Sequence, residues 1–404
     1  MSSTRSYKID VPEKQLDLLK RKLELASFPD EIDDAGWTYG SPLSDVKRLT
    51  EYWKNEFDWR KQEREINKMP QYMTSIKPDS FEPLDIHFVH QRSEVKGAIP
   101  LLFVHGWPGS FIEVSKILPL LTKGDKDQPA FHVVAPSIPR FGFSEGPTDK
   151  SWSVHNYAEV FQKLMESLGY NEYVTQGGDL GYYITRLMGI NYPDSCKGTH
   201  INFFPMLGPP SLSKYPALAL KHAITPYSEA EKQRLARMQW FLRDGHGYAS
   251  EHSTKPQTIG YSLRDSPVGL LAWIYEKLHD WTDSYPWTDD EILTWVSIYN
   301  FSAAGPAATV RIYYETTYEV PNPTEQALSY NGKVPLGISI FPKEILAGPK
   351  LWTHTMGPVV SLNEHDKGGH FAAWERPEDL VEDLRKMFGK GGGAHGVVKG
   401  KSGY

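Results

Sequence analysis

Cysteine is nearly absent from this chain: Cys196 is the only one in 404 residues. An intrachain disulfide is therefore impossible, and neither a cysteine-ligated zinc site nor a CxxC redox centre can be assembled. Long apolar runs are missing too. No window approaches the roughly 18 to 20 apolar residues of a membrane span, and the opening MSSTRSYKIDVPEKQ holds no apolar signal core, so a soluble, cytoplasmic protein without a membrane anchor is expected. Excess positive charge is lacking as well: the formal net charge is -6 and the Lys-bearing C-terminus is short and diluted by glycine, which argues against a nucleic-acid partner. No metal or cofactor is expected, and a small-molecule partner is. What the chain has in quantity is aromatic residues, 13% of the total with 12 Trp and 22 Tyr, enough to line an apolar cavity or to pack lobes together.

The periodicity divides the chain. Residues 1–80 are expected to form an N-terminal helical meander, with Pro12 opening one helix and Val46, Leu49, Trp53 and Phe57 forming the apolar stripe of another. From 81 to 208 β-like runs such as DIHFVHQRS, IPLLFVHGWPGS and FHVVAPSIPRFGFSE alternate with helical stretches, which predicts βα units and a mostly parallel sheet. Residues 209–319 are helical throughout and are read as an inserted lid. The alternation resumes over 320–390, and 391–404 has the composition of a flexible tail.

The chemistry centres on VTQGGDLGYYI. Glycines 177, 178 and 181 flank Asp179 where a strand should reverse into a helix, which is the G-x-nucleophile-x-G elbow with Asp in place of Ser. The competing reading is an Asp-Gly turn with Asp179 as a helix cap. Downstream, HDKGGHFAAWERP offers His370 as a base, with His365 as its rival, and Glu344 directly follows the strand-like LGISIF. Upstream, HGWPGS follows PLLFV where such a fold places half an oxyanion hole, so the amides of Trp107 and Leu180 are the expected donors. Nucleophile, acid and histidine then stand in the chain order of an α/β-hydrolase fold.

Together HGWPGS, QGGDLGYYI, DSPVGLLAWIYEKL, FPKEI and GGHFAAWERP resemble the epoxide hydrolases of the microsomal type, in the soluble form found in fungi. The resemblance covers almost the whole chain; membrane-bound members begin with an apolar anchor, and none is expected here. It implies Asp179 as nucleophile, His370 as base, Glu344 as its acid, and two lid tyrosines that hold the epoxide oxygen: Tyr248 in GYASEH and Tyr313 in VRIYYE, with Tyr314 as the adjacent alternative. It also implies an epoxide substrate and a homodimer. A dehalogenase with an Asp nucleophile, which commonly places Trp after that Asp where Leu180 stands here, and a non-catalytic binding protein on the same fold are the competing readings.

Overall fold

Three runs, Ile99–Val104, Tyr173–Gly177 and Leu336–Ile340, are buried at every position, as strands covered on both faces must be. They are the fourth, sixth and eighth strands of a nine-stranded sheet in a computed structural model that describes residues 4–404; residues 1–3 of the expected N-terminal meander lie outside the described residues. In chain order the strands are β1 (Arg5–Ser6), β2 (Gln71–Ile76), β3 (Leu84–Gln91), β4 (Ile99–Val104), β5 (Phe131–Pro136), β6 (Tyr173–Gly177), β7 (Cys196–Ile201), β8 (Leu336–Ile340) and β9 (Val359–Glu364). They lie side by side in the order β1-β2-β3-β5-β4-β6-β7-β8-β9. The six strands from β5 to β9 run parallel, and β1, β2 and β3 extend the sheet antiparallel. The fold is that of an α/β-hydrolase, as expected from the sequence.

The N-terminal segment is less purely helical than its composition suggested. Helices Glu13–Glu24, Leu43–Asn55 and Trp59–Ile66 are present, with Val46, Leu49 and Trp53 buried as the stripe predicted, but β1 and β2 bracket them. Phe57 falls beyond the end of its helix. Helix Leu43–Asn55 packs against helices Pro267–Asp280 and Asp289–Asn300, so the stripe covers the helical insertion.

That insertion runs between β7 and β8. It comprises Pro216–Ile224, Glu229–Trp240, Gly247–Thr254, Pro256–Asp265, Pro267–Asp280, Asp289–Asn300, Arg311–Tyr318 and Pro323–Leu328, so helix continues past residue 319. No helix of the described residues is long and apolar enough to cross a membrane.

The C-terminal tail corrects an expectation. Residues 391–404 are docked, not loose: Ala394 and Val398 are buried, the Gly403 N–H donates to the Gly97 carbonyl at 2.7 Å, and the Gly403 carbonyl accepts from the Ala130 N–H at 2.8 Å. The Lys399 N–H also reaches Glu172 at 2.7 Å. These partners precede β4, β5 and β6, so the tail closes the N-terminal ends of the central strands. Glycine here permits the turns that docking requires, with positive φ at Gly391, Gly396, Gly400 and Gly403.

Candidate active site

The site lies at the opposite, C-terminal ends of the strands, where parallel sheets present their loops. Asp179 joins β6 to helix Leu180–Asn191 with φ 49° and ψ -123°, a conformation that L residues adopt at a cost and that exposes a side chain at a strand-to-helix turn. Gly181 is required next, because a Cβ there would run into the Val104 carbonyl of β4. The Asp179 side chain makes no cap hydrogen bond to its helix, so the simple capping reading fails. Instead the turn after β4 comes to it. The Trp107 N–H donates to Asp179 Oδ1 at 2.8 Å, and a Cβ on Gly106 would collide with the same carboxylate. Among the described residues Trp107 is its one backbone donor; the Leu180 N–H makes no hydrogen bond to it.

His370 stands between two carboxylates. Its Nδ1 is 2.7 Å from Glu344 Oε1 and its Nε2 is 3.5 Å from Asp179 Oδ2, while its own N–H donates to the Trp281 carbonyl at 2.8 Å. Burial opposes charge on this imidazole, but Glu344 and Asp179 more than offset that and raise its pKa from 6.5 to about 10. Glu344 is itself buried and takes the Ile345 N–H at 2.7 Å on the oxygen that faces the imidazole.

The rivals are occupied elsewhere. His365 stacks on Phe341 and pairs through Nε2 with buried Asp383 at 2.7 Å. Glu364 binds Arg234, and Lys350 at 2.7 Å. No hydrogen bond or ion pair joins Asp366 to His370.

Over this group sit the two tyrosines, brought together by the packing of helices Gly247–Thr254 and Arg311–Tyr318. The Tyr248 ring stacks on Trp107 with centroids 4.9 Å apart and planes 13° apart, and Tyr313 presents its edge to Tyr248 at 5.8 Å and 83°. Burial, then the Asp179 charge, pushes the Tyr248 phenol pKa well above 10; burial, then Tyr248 and Asp179, does the same for Tyr313. Both phenols are therefore protonated, and the Tyr313 hydroxyl is buried without a hydrogen-bond partner. Tyr314 points away: it is 45% exposed and rests on Tyr318.

Beside Asp179 and His370 is a cavity of about 20 Å³, whose wall includes Glu113, Gln176 and Asn202. That is room for about one water.

A family model described as "Epoxide hydrolase N terminus" matches residues 4–114, and one described as "alpha/beta hydrolase fold" matches residues 99–202. The chain is 35% identical to epoxide hydrolase 1 of Sus scrofa in an alignment covering 96% of this chain and 89% of that one. The chain belongs to the epoxide hydrolase family. Among solved structures, this epoxide hydrolase family member is similar to the Aspergillus niger epoxide hydrolase (36% identity, TM-score 0.81, 95% of each chain covered). It also resembles the juvenile hormone epoxide hydrolase of the silkworm Bombyx mori (29% identity, TM-score 0.85, 95% of this chain and 93% of that one).

Some residues at the site went unread in the sequence. Glu113 is buried, and burial raises its pKa to about 8. Its signal was present as Ser110-x-x-Glu113, a capping box in which the Ser110 N–H donates to Glu113 Oε1 at 3.1 Å. Trp295 and Tyr299 carried only the signature of a buried helix.

Proposed function

We propose that this member of the family hydrolyses epoxides to vicinal diols through an ester on Asp179. The observation that supports this best is the alignment of Asp179, His370 and Glu344 beneath two protonated phenols. An epoxide carbon is sp3 and is attacked from the back by an anion, and a carboxylate is already ionised near neutral pH. Trp107 holds Oδ1, leaving Oδ2 to attack. As the carbon–oxygen bond of the ring breaks, Tyr248 and Tyr313 hydrogen-bond the departing oxygen and one of them gives it a proton.

The ester removes the Asp179 charge, and with it one of the two anions that hold the proton on His370. The imidazole then sheds its proton, balancing the one lost by the phenol, and becomes the base for the second step. His370, oriented by Glu344, takes a proton from water. The hydroxide adds to the Asp179 carbonyl carbon and the oxyanion forms on Oδ1 against the Trp107 amide and the Leu180 amide, which is unbonded to Asp179 in the resting site; the acyl–oxygen bond then breaks, and the proton of the added hydroxyl passes to the departing alkoxide, releasing the diol and restoring the Asp179 carboxylate. A halide-releasing reaction calls instead for N–H donors around the leaving group; the residue after the nucleophile here is Leu180.

The test is a single turnover in heavy-oxygen water with enzyme in excess. The diol should emerge unlabelled, with the label on the Asp179 peptide, and His370→Gln should accumulate an adduct of intact substrate mass. Labelled diol in that first turnover would exclude the ester and leave Asp179 as a general base.

A further inference from the structure

The loop His105–Ser110 has to keep one N–H, that of Trp107, on Asp179 Oδ1. Its hold on that position comes from the helical insertion. In helix Asp289–Asn300, Trp295 and Tyr299 stand one turn apart on the same face. The Trp295 indole N–H donates to the carbonyl of Pro108, and the Tyr299 hydroxyl donates to the carbonyl of Gly109 at 2.6 Å. Both side chains are buried, so neither carbonyl has water as a substitute partner. From the other side the capping box of Ser110 and Glu113 anchors the loop, and Gly109 lies so close to Glu113 that a Cβ there would collide with its carboxyl group. The peptide run that carries Trp107 is thus gripped at two successive carbonyls by the insertion and at its end by Glu113.

The grip extends to the N-terminal segment. Arg48 pairs with Asp289 at 2.5 Å, and Tyr52 and Gln62 each donate to Asp290 at 3.1 Å, all at the first turn of the same helix. Beyond its other end, Phe301 packs against the Trp59 ring at 5.1 Å. A helix held at both ends by one segment and bonded in its last turns to the loop is a brace.

We propose that Tyr299 and Trp295 are positioning residues for the oxyanion donor, and that through helix Asp289–Asn300 the N-terminal segment holds the Trp107 N–H where negative charge develops. The inference rests on the ester mechanism proposed above. Its physical content is a difference between the two half-reactions. During alkylation negative charge leaves Asp179, so the Trp107 N–H orients the carboxylate but gains little strength. During ester hydrolysis a full charge forms on Oδ1, and a displaced donor is felt in the barrier. Tyr299 touches no reacting atom and acts only through Gly109.

The experiment is rapid-quench mass spectrometry of wild type and Tyr299→Phe with styrene oxide, following growth of the Asp179 adduct and, after the substrate is exhausted, its decay. Loss of the hydroxyl is expected to slow adduct decay by about 10- to 100-fold, the scale of a sub-ångström to 1 Å misplacement. Adduct formation should stay within about threefold of wild type, so the adduct accumulates. Equal slowing of both steps with a lowered Tm would make Tyr299 merely structural and overturn the proposal, as would unchanged decay. No adduct in wild type would overturn the ester mechanism itself and this inference with it. If Tyr299→Phe does not fold, Trp295→Phe, which loses the N–H and leaves a smaller ring in the same buried position, carries the same expectation and the same reversals.

Discussion

The Nε2 atom of His370 stands 3.5 Å from Oδ2 of Asp179, on the opposite side of the imidazole from Glu344. Burial lowers the pKa of this ring, but a carboxylate facing each of its nitrogens raises it to about 10.

The first prediction follows from that arrangement. His370 binds its proton more tightly folded than unfolded, so the stability this contributes is complete below pH 6.5 and is lost as pH rises through about 10. Imidazole 15N spectra of the resting enzyme at pH 8 should show His370 as the cation. In Asp179→Asn its pKa should fall, because one anion is gone. A neutral His370 at pH 8 in wild type would contradict the assignment.

Glu344→Gln should disable the base without disabling the nucleophile. The amide keeps the shape, but it cannot stabilise an imidazolium and can present N–H where an acceptor is needed. Turnover is expected to fall by about 10²- to 10⁴-fold, the scale seen when a buried triad carboxylate becomes an amide, with adduct mass rising on Asp179. The same change at Glu364, bound to Arg234 and Lys350, should leave the adduct decay rate close to wild type.

The phenols should show redundancy. Tyr248→Phe or Tyr313→Phe alone is expected to slow adduct formation by about 10- to 100-fold and the pair to abolish it, since a general acid contributes about 10²- to 10⁴-fold. Tyr314→Phe should be silent in the same measurement, its ring being exposed and turned toward Tyr318.

The docked tail can be tested through stability. Val398→Asp places a carboxylate at a position 3% exposed, and should cost about 2 to 4 kcal/mol in denaturant unfolding. At low denaturant kcat should be unchanged, because Val398 lies at the end of the sheet opposite Asp179.

How much of this was legible depended on whether a residue's role leaves a local trace. The elbow did: VTQGGDLG announces strand, turn and helix within eight residues, and helix Leu180–Asn191 starts directly after the expected nucleophile. Alternation marked the parallel strands because apolar runs must be buried on both faces. Strand β2 left no such trace, since QYMTSI buries Gln71 and Thr74 as well as Met73 and Ile76, and its polar positions mask the period. The tail misled for the opposite reason. Its glycines were read as looseness, whereas several serve turns with positive φ that carry Ala394 and Val398 into contact. The grip of Trp295 and Tyr299 on Pro108 and Gly109 joins positions nearly 190 residues apart through main-chain carbonyls, which have no sequence signature at all.

The order of the strands along the chain has a consequence for synthesis. The ribosome delivers Asp179 first, then Tyr248 and Tyr313, then Glu344, and His370 last, followed by helix Pro377–Phe388 and the docked tail. The groups assigned to capturing an epoxide are thus all made before the one assigned to releasing it. A chain ended between Glu344 and His370 that held its fold would react with one epoxide and stay modified, a stoichiometric scavenger in place of a catalyst.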